Sequence, residues 1–133
     1  MDMLKLRAKD LMQSDAKTVG KSTLLSAAAK MMQELRVSSL IIEPDDESDA
    51  FGIITRKDIL QTFVADRIEV TSYLVEDAMS KPAITVNSGL SIYNCQQVMR
   101  MVGVRRMPVI DGSKLVGILS NSDIFAKLIE QIT

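Results

Sequence analysis

Gly52-Ile53-Ile54-Thr55-Arg56-Lys57-Asp58 returns as Gly117-Ile118-Leu119-Ser120-Asn121-Ser122-Asp123, 65 positions later (117 minus 52). Both copies read as a glycine, two β-favouring apolar residues, a hydroxyl residue, two polar residues and an aspartate. Each runs into apolar residues at helical spacing: Ile59, Leu60, Phe63 and Val64 after the first, Ile124, Phe125, Leu128 and Ile129 after the second. Each copy is therefore read as a strand feeding a helix, with the hydroxyl residue at the junction. A recurrence at half the chain length makes the protein a tandem repeat.

The match extends outward from the motif. Lys9-Asp10-Leu11-Met12 aligns with Glu76-Asp77-Ala78-Met79 at an offset of 67 (76 minus 9), and Ala16-Lys17-Thr18-Val19 with Ala83-Ile84-Thr85-Val86 at the same offset. The fall from 67 to 65 puts two extra residues in the first half. They lie in the acidic stretch Glu43 to Asp49, where the second half has the shorter Asp111-Gly112-Ser113-Lys114. Each half reads as a helical turn ending at Met12 or Met79, then a brief strand over 17–19 or 84–86, then a helix. In the first half Ser22 or Thr23 is the expected N-cap, with Leu24, Leu25, Ala28, Met31, Met32 and Leu35 on one face. The second half offers Leu90, Ile92, Cys95, Val98, Met99 and Val102. Two strands complete each half, over 37–42 and 51–55, and over 104–110 and 115–120. Asp111-Gly112 predicts a tight hairpin, because glycine tolerates the positive φ of such a turn. The acidic stretch is read as the same hairpin with a longer tip.

The expected fold class is α+β (mixed α/β): tandem β-α-β-β-α repeats, over 1–67 and 68–133, with 65–75 as the connection. A repeat of about sixty residues buries too little surface to be robust alone. The sheets of the two halves are therefore expected to pack together, with helices outside and a pseudo-twofold relating the halves.

Composition narrows function. Sixteen basic and 17 acidic residues leave a net charge of −1, which argues against nucleic acid as a general partner. The one exception is a local patch that Arg36, Arg56, Lys57, Arg105 and Arg106 could form. No apolar run approaches the roughly 20 residues of a membrane span, and residues 1–7 lack the apolar core of a signal peptide. The expectation is a soluble, cytoplasmic protein. There is no histidine and only one cysteine, Cys95. That removes histidine-based catalysis, histidine-ligated metal and any intrachain disulfide. Cys95 falls on the apolar helix face and is read as a buried, inert thiol. The acidic loop lacks the spacing of an EF-hand, so no metal site is expected there. No phosphate-binding Gly-x-x-x-x-Gly-Lys-Ser/Thr loop and no Gly-x-Gly-x-x-Gly is present. The nine methionines are read chiefly as core filling, with Met31, Met32, Met99 and Met101 on or beside the main helices.

The paired Asp-Leu-Met and Asp-Ala-Met segments, the Thr-Val strands, Val104-Arg105-Arg106-Met107-Pro108-Val109 and both Gly-x-x-Thr/Ser-x-x-Asp motifs together resemble the cystathionine-β-synthase (CBS) domain pair, or Bateman module. The resemblance covers roughly residues 5–131. It implies a free-standing pair with two clefts between the repeats and adenosine-type ligands: AMP, ADP, ATP, NAD or S-adenosylmethionine. It assigns ribose contacts to Asp58 and Asp123. It places adenine near Thr18-Val19 and Thr85-Val86, and near Ser39-Leu40 and Met107-Pro108. It further implies a disk-like homodimer formed through helices, for which Leu60, Phe63, Val64, Phe125, Leu128 and Ile129 supply apolar surface.

The motif itself supports two readings. Thr55 with Asp58, and Ser120 with Asp123, suit a helix N-terminus, where the hydroxyl accepts from a first-turn N–H and the acid reaches back. The same carboxylates can accept both hydroxyls of a ribose, while free N–H groups hold a phosphate. Arg56 and Lys57 add positive charge to the first copy. Asn121 and Ser122 leave the second neutral, with Arg105 and Arg106 as the compensating cations. Ser38-Ser39-Leu40-Ile41 lacks those arginines in the first half, so unequal clefts are expected. The leading expectation is a non-enzymatic regulatory module that senses an adenosine-type nucleotide and signals to a regulated partner by conformational change. The alternative is a structural dimerisation or docking module whose clefts stay empty.

Overall fold

The structure is a computed structural model in which residues 2–69 and 71–133 are described. In chain order it holds a 3-10 turn Asp2–Lys5, α1 (Ala8–Leu11), α2 (Leu25–Leu35), β1 (Ser39–Ile42), β2 (Gly52–Thr55) and α3 (Arg56–Leu60), which continues as a π turn, Gln61–Ala65. Then come α4 (Val75–Ala78), β3 (Val86–Asn87), α5 (Ile92–Val102), β4 (Arg106–Asp111), β5 (Lys114–Ser120) and α6 (Asn121–Ile132). The elements expected of the two repeats are present, several of them shorter, except the first strand of the first repeat. The chain forms two compact units, Lys17–Ala83 and a discontinuous one built of Met1–Ala16 with Ile84–Thr133. The sequence repeats and the compact units thus divide the chain differently, because each helical turn packs with the strands of the other repeat.

In the continuous unit, β1 and β2 form an antiparallel pair running from Ser39 opposite Thr55 to Ile42 opposite Gly52. Ser80 pairs with Ile53 on the far edge of β2, and Thr18 makes a single parallel bridge to Ile41. The strand expected over 17–19 is reduced to that bridge. Leu25, Ala28 and Met32 of α2 pack with Leu40, Ile54 and Ile59 as the core. Of the predicted stripe those three helix residues are buried and Met31 is partly so, whereas Leu24 and Leu35 at its two ends are exposed. Neither Ser22 nor Thr23 caps α2. Its N-cap is Leu24, which has no side-chain acceptor. The Leu25 N–H is instead taken by the Tyr73 carbonyl at 2.9 Å, a backbone substitute for a polar cap.

In the discontinuous unit, β3 pairs in parallel with β4, and β4 pairs antiparallel with β5 through the Asp111 to Lys114 turn. Gly112 there has φ +63°, as the Asp-Gly pair predicts. Gln13 pairs with Ile118 on the outer edge of β5, the counterpart of Ser80 with Ile53. Cys95 and Met99 of α5, with Val86, Met107, Leu119 and Ile124, form the second core. Ser91 caps α5 by accepting from the Asn94 N–H at 3.2 Å. Cys95 is fully buried, and that burial pushes its thiol up to about 11. Met32 and Met99 are core residues as expected, whereas Met101 is 82% exposed: it lies on the outer face of α5.

Two aspartates explain the short helices. Asp10 Oδ2 accepts from the Arg7 N–H at 2.8 Å, and Asp77 Oδ2 from the Leu74 N–H at 2.9 Å. Each acid closes a four-residue helix that would not persist on propensity alone.

Candidate functional site

The two Gly-x-x-Thr/Ser-x-x-Asp motifs fold alike. In the first, Asp58 Oδ2 accepts from the Thr55 N–H at 2.8 Å and from the Thr55 hydroxyl at 3.0 Å, and Thr55 Oγ1 accepts from the Asp58 N–H at 3.3 Å. In the second, the Ser120 N–H and hydroxyl both lie 2.9 Å from Asp123 Oδ2, and the Asp123 N–H is 3.2 Å from Ser120 Oγ. Both are reciprocal capping boxes. The junction N–H groups are also held alike: Arg56 N–H donates to the Ser38 carbonyl at 3.0 Å, Asn121 N–H to that of Arg105 at 2.9 Å. The capping reading is therefore correct, and it consumes only one oxygen of each carboxylate.

The two other oxygens differ. Asp123 Oδ1 accepts from Gln13 Nε2 at 3.0 Å. Among the described residues no donor sits on Asp58 Oδ1. Ser80, the counterpart of Gln13, occupies the same place beside β2, but its side chain ends at the hydroxyl. Sequence pattern alone does not mark either residue; the one signal is that Gln13 and Ser80 each follow the methionine of an aligned tetrad.

The remaining expected residues divide by burial. Leu40, Val86 and Met107 face the cores, and Pro108 is fully buried. Their side chains are buried in this structure, so what these four positions present outward is backbone. For Leu40, Met107 and Pro108 the cause is that β1 and the centre of β4 are buried on both faces; Val86 is the inward residue of β3. Ser39 is buried at 8% exposure. Thr18, Arg56, Lys57, Arg105 and Asn121 are exposed, while Val19, Thr85 and Arg106 are half-buried. Val19 N–H donates to the Ile41 carbonyl at 2.9 Å.

Thr18 and Val19 also line a groove of about 620 Å³ with Lys21, Thr23, Ile42 and Asp45. Lys21 pairs with Asp45 at its rim. The acidic loop is tied down at its other end, where Lys81 Nζ donates to Asp49 Oδ2 at 2.7 Å and the Asp45 N–H reaches the same oxygen at 2.7 Å. Thr55 and Asp58 do not line this groove. Among the described residues no group of three His, Cys, Asp or Glu side chains is placed to hold a metal.

Comparison with known proteins decides the family. The CBS-domain model matches residues 8–65 and again 75–130. The chain belongs to the CBS-domain family. It is a CBS pair, 32% identical over 123 residues to hypoxic response protein 1 of Mycobacterium tuberculosis, covering 92% of this chain and 85% of that protein. It is 31% identical over 97 residues to the uncharacterised protein MK0525 of Methanopyrus kandleri, covering 72% of this chain but only 49% of that relative. Among solved structures, a hexameric CBS-CP12 protein from bloom-forming cyanobacteria superposes with a TM-score of 0.88 at 32% identity, over 96% of this chain and 75% of that one. The mixed helix-and-strand fold expected for a CBS pair is the fold observed. No helix among the described residues is long and apolar enough to cross a membrane.

Proposed function

We propose that this CBS pair is a non-enzymatic regulatory module. It takes an adenosine-type ligand (AMP, ADP, ATP, NAD or S-adenosylmethionine) at the Thr55–Asp58 and Ser120–Asp123 motifs and signals to a partner protein by conformational change. The observation that supports this most is the divided use of each aspartate. One oxygen is fixed by the capping box, which orients the carboxylate; the other carries no donor at Asp58 among the described residues and a single amide donor, from Gln13, at Asp123. A preorganised carboxylate at a helix start suits a ribose diol, and Arg56, Lys57, Arg105 and Arg106 suit phosphate. Signalling then requires a ligand that binds two conformations unequally.

Self-association belongs to the same reading. In the discontinuous unit, Leu4, Ile92, Tyr93, Phe125 and Leu128 line an apolar groove of about 670 Å³. Phe125 is 61% exposed, and in the other unit Val64 is 68% exposed. Apolar surface of this kind favours a homodimer, and the cyanobacterial relative is hexameric. Sedimentation at tens of micromolar is expected to return a dimer; a monomer would count against the proposal.

The alternative, a docking module without ligand, has a specific observation in its favour: each aspartate already has a structural role as the acid of a capping box. A thermal-shift screen with the five ligands and inorganic phosphate separates the two. A ligand at 100 times its Kd is expected to stabilise the native form by about 2.7 kcal/mol, and the Asp58→Asn, Asp123→Asn double variant should lose that shift while staying folded. No shift at millimolar ligand would leave the docking module.

A further inference from the structure

We infer that Gln13 is a selectivity element that makes the second motif the weaker of the two ligand sites. The inference rests on the ribose-binding reading of Asp58 and Asp123. An ionised carboxylate offers about four acceptor positions, two on each oxygen. In both motifs the capping box fills Oδ2, through the N–H and hydroxyl of Thr55 or Ser120. A ribose diol brings two O–H donors, so it needs both positions on Oδ1. Asp58 Oδ1 has both open among the described residues. Asp123 Oδ1 has one, because Gln13 Nε2 donates to it at 3.0 Å. The amide orientation is set by chemistry, since turning the Gln13 carbonyl toward a carboxylate would oppose two acceptors.

The asymmetry is encoded in one position. Gln13 and Ser80 make the same backbone pairing, to Ile118 and to Ile53, and each follows the methionine that ends a short helix. The backbone therefore delivers both side chains to the same place relative to the aspartate. Gln13 is long enough to latch it and Ser80 is not. Binding at Asp123 must break a charge-assisted hydrogen bond before the diol is fully accepted, whereas binding at Asp58 breaks none. Gln13 is exposed, so its side chain can swing away, and the latch costs affinity without closing the site.

The test isolates each motif. AMP and ATP are titrated calorimetrically into Asp58→Asn protein, which keeps the second motif, and into Asp123→Asn protein, which keeps the first. The first motif is expected to bind the tighter. Adding Gln13→Ser should tighten the second motif roughly tenfold, the scale of one hydrogen bond to a charged group, and leave the first unchanged. Adding Ser80→Gln should weaken the first by a similar factor. Binding that is equal in the two backgrounds, or unmoved by Gln13→Ser, overturns the latch while ribose binding stands. No heat from either nucleotide at millimolar concentration with the unmodified protein overturns both.

Discussion

Met12 Sδ stands 2.5 Å from where a Cβ on Gly117 would lie, with the Gln13 carbonyl 2.7 Å from the same point. The glycine that opens the second motif is thus dictated by the chain segment crossing it. Gly52 has the same neighbour in Met79 Sδ, at a looser 3.1 Å, and Ser80 O at 3.4 Å.

Gly117→Ala is expected to cost about 2–3 kcal/mol, because its neighbour is partly backbone and cannot turn aside. Gly52→Ala should cost less, since a flexible methionine sulfur can give way. Urea denaturation of the two variants checks the order. Trimming Met12 to Ala in the Gly117→Ala protein should recover only part of the loss, as the Gln13 carbonyl stays in place.

Arg36 ends α2 in the left-handed region at φ +56°, the role Gly103 fills for α5 at φ +76°. An arginine there carries the strain that glycine avoids. Arg36→Gly is expected to stabilise by about 0.5–1 kcal/mol, and Gly103→Ala to destabilise by a similar amount. Thermal unfolding of both should show shifts of opposite sign.

The acidic loop carries a pH dependence. The Lys81 ammonium, and after it the Asp45 N–H, hold the Asp49 carboxyl down at about 2, from an ordinary 3.8. A group depressed on folding adds stability above its unfolded pKa and loses it as pH falls through its folded one. Wild-type protein and Asp49→Asn should therefore differ in melting temperature at pH 5, and the gap should close between pH 4 and 2. A gap that persists at pH 2 would assign the difference to packing instead of charge.

Cys95 should be silent toward thiol reagents in the native state. With its thiol near 11, about one molecule in a thousand is thiolate at pH 8, and the sulfur is buried against the Leu90 carbonyl. Labelling with a disulfide reagent is expected to be complete in denaturant and negligible without it. Fast labelling of native protein would mean that α5 opens locally.

Periodicity and turn chemistry alone carry most of this fold. The Asp111-Gly112 hairpin, the buried stripe of α2 and α5 and the doubled strand-to-helix junction are all local patterns, so local sequence carries them. The start of α2 is not local: Leu24 occupies the cap because Tyr73, far along the chain, satisfies the first N–H. Nor does the repeat say which β-strands each helical turn joins. Met12 and Met79 are the same residue type, and so are Gly52 and Gly117, which makes docking within a repeat and across repeats indistinguishable by pattern. At the candidate site, the duplicated aspartates are legible. The Gln13 latch is a side-chain contact over 110 positions, and only the paired geometry brings it out.

The discontinuous unit sets an order of assembly. The stretch 17–83 is complete as soon as it has been synthesised, and domains generally fold as units as the chain emerges. The other body cannot close until its last helix is made, because its first sixteen residues wait for partners that lie beyond position 83. The nascent chain therefore carries Met3, Ala8 and Met12 apart from Val86, Met107 and Leu119 until those later positions have been made.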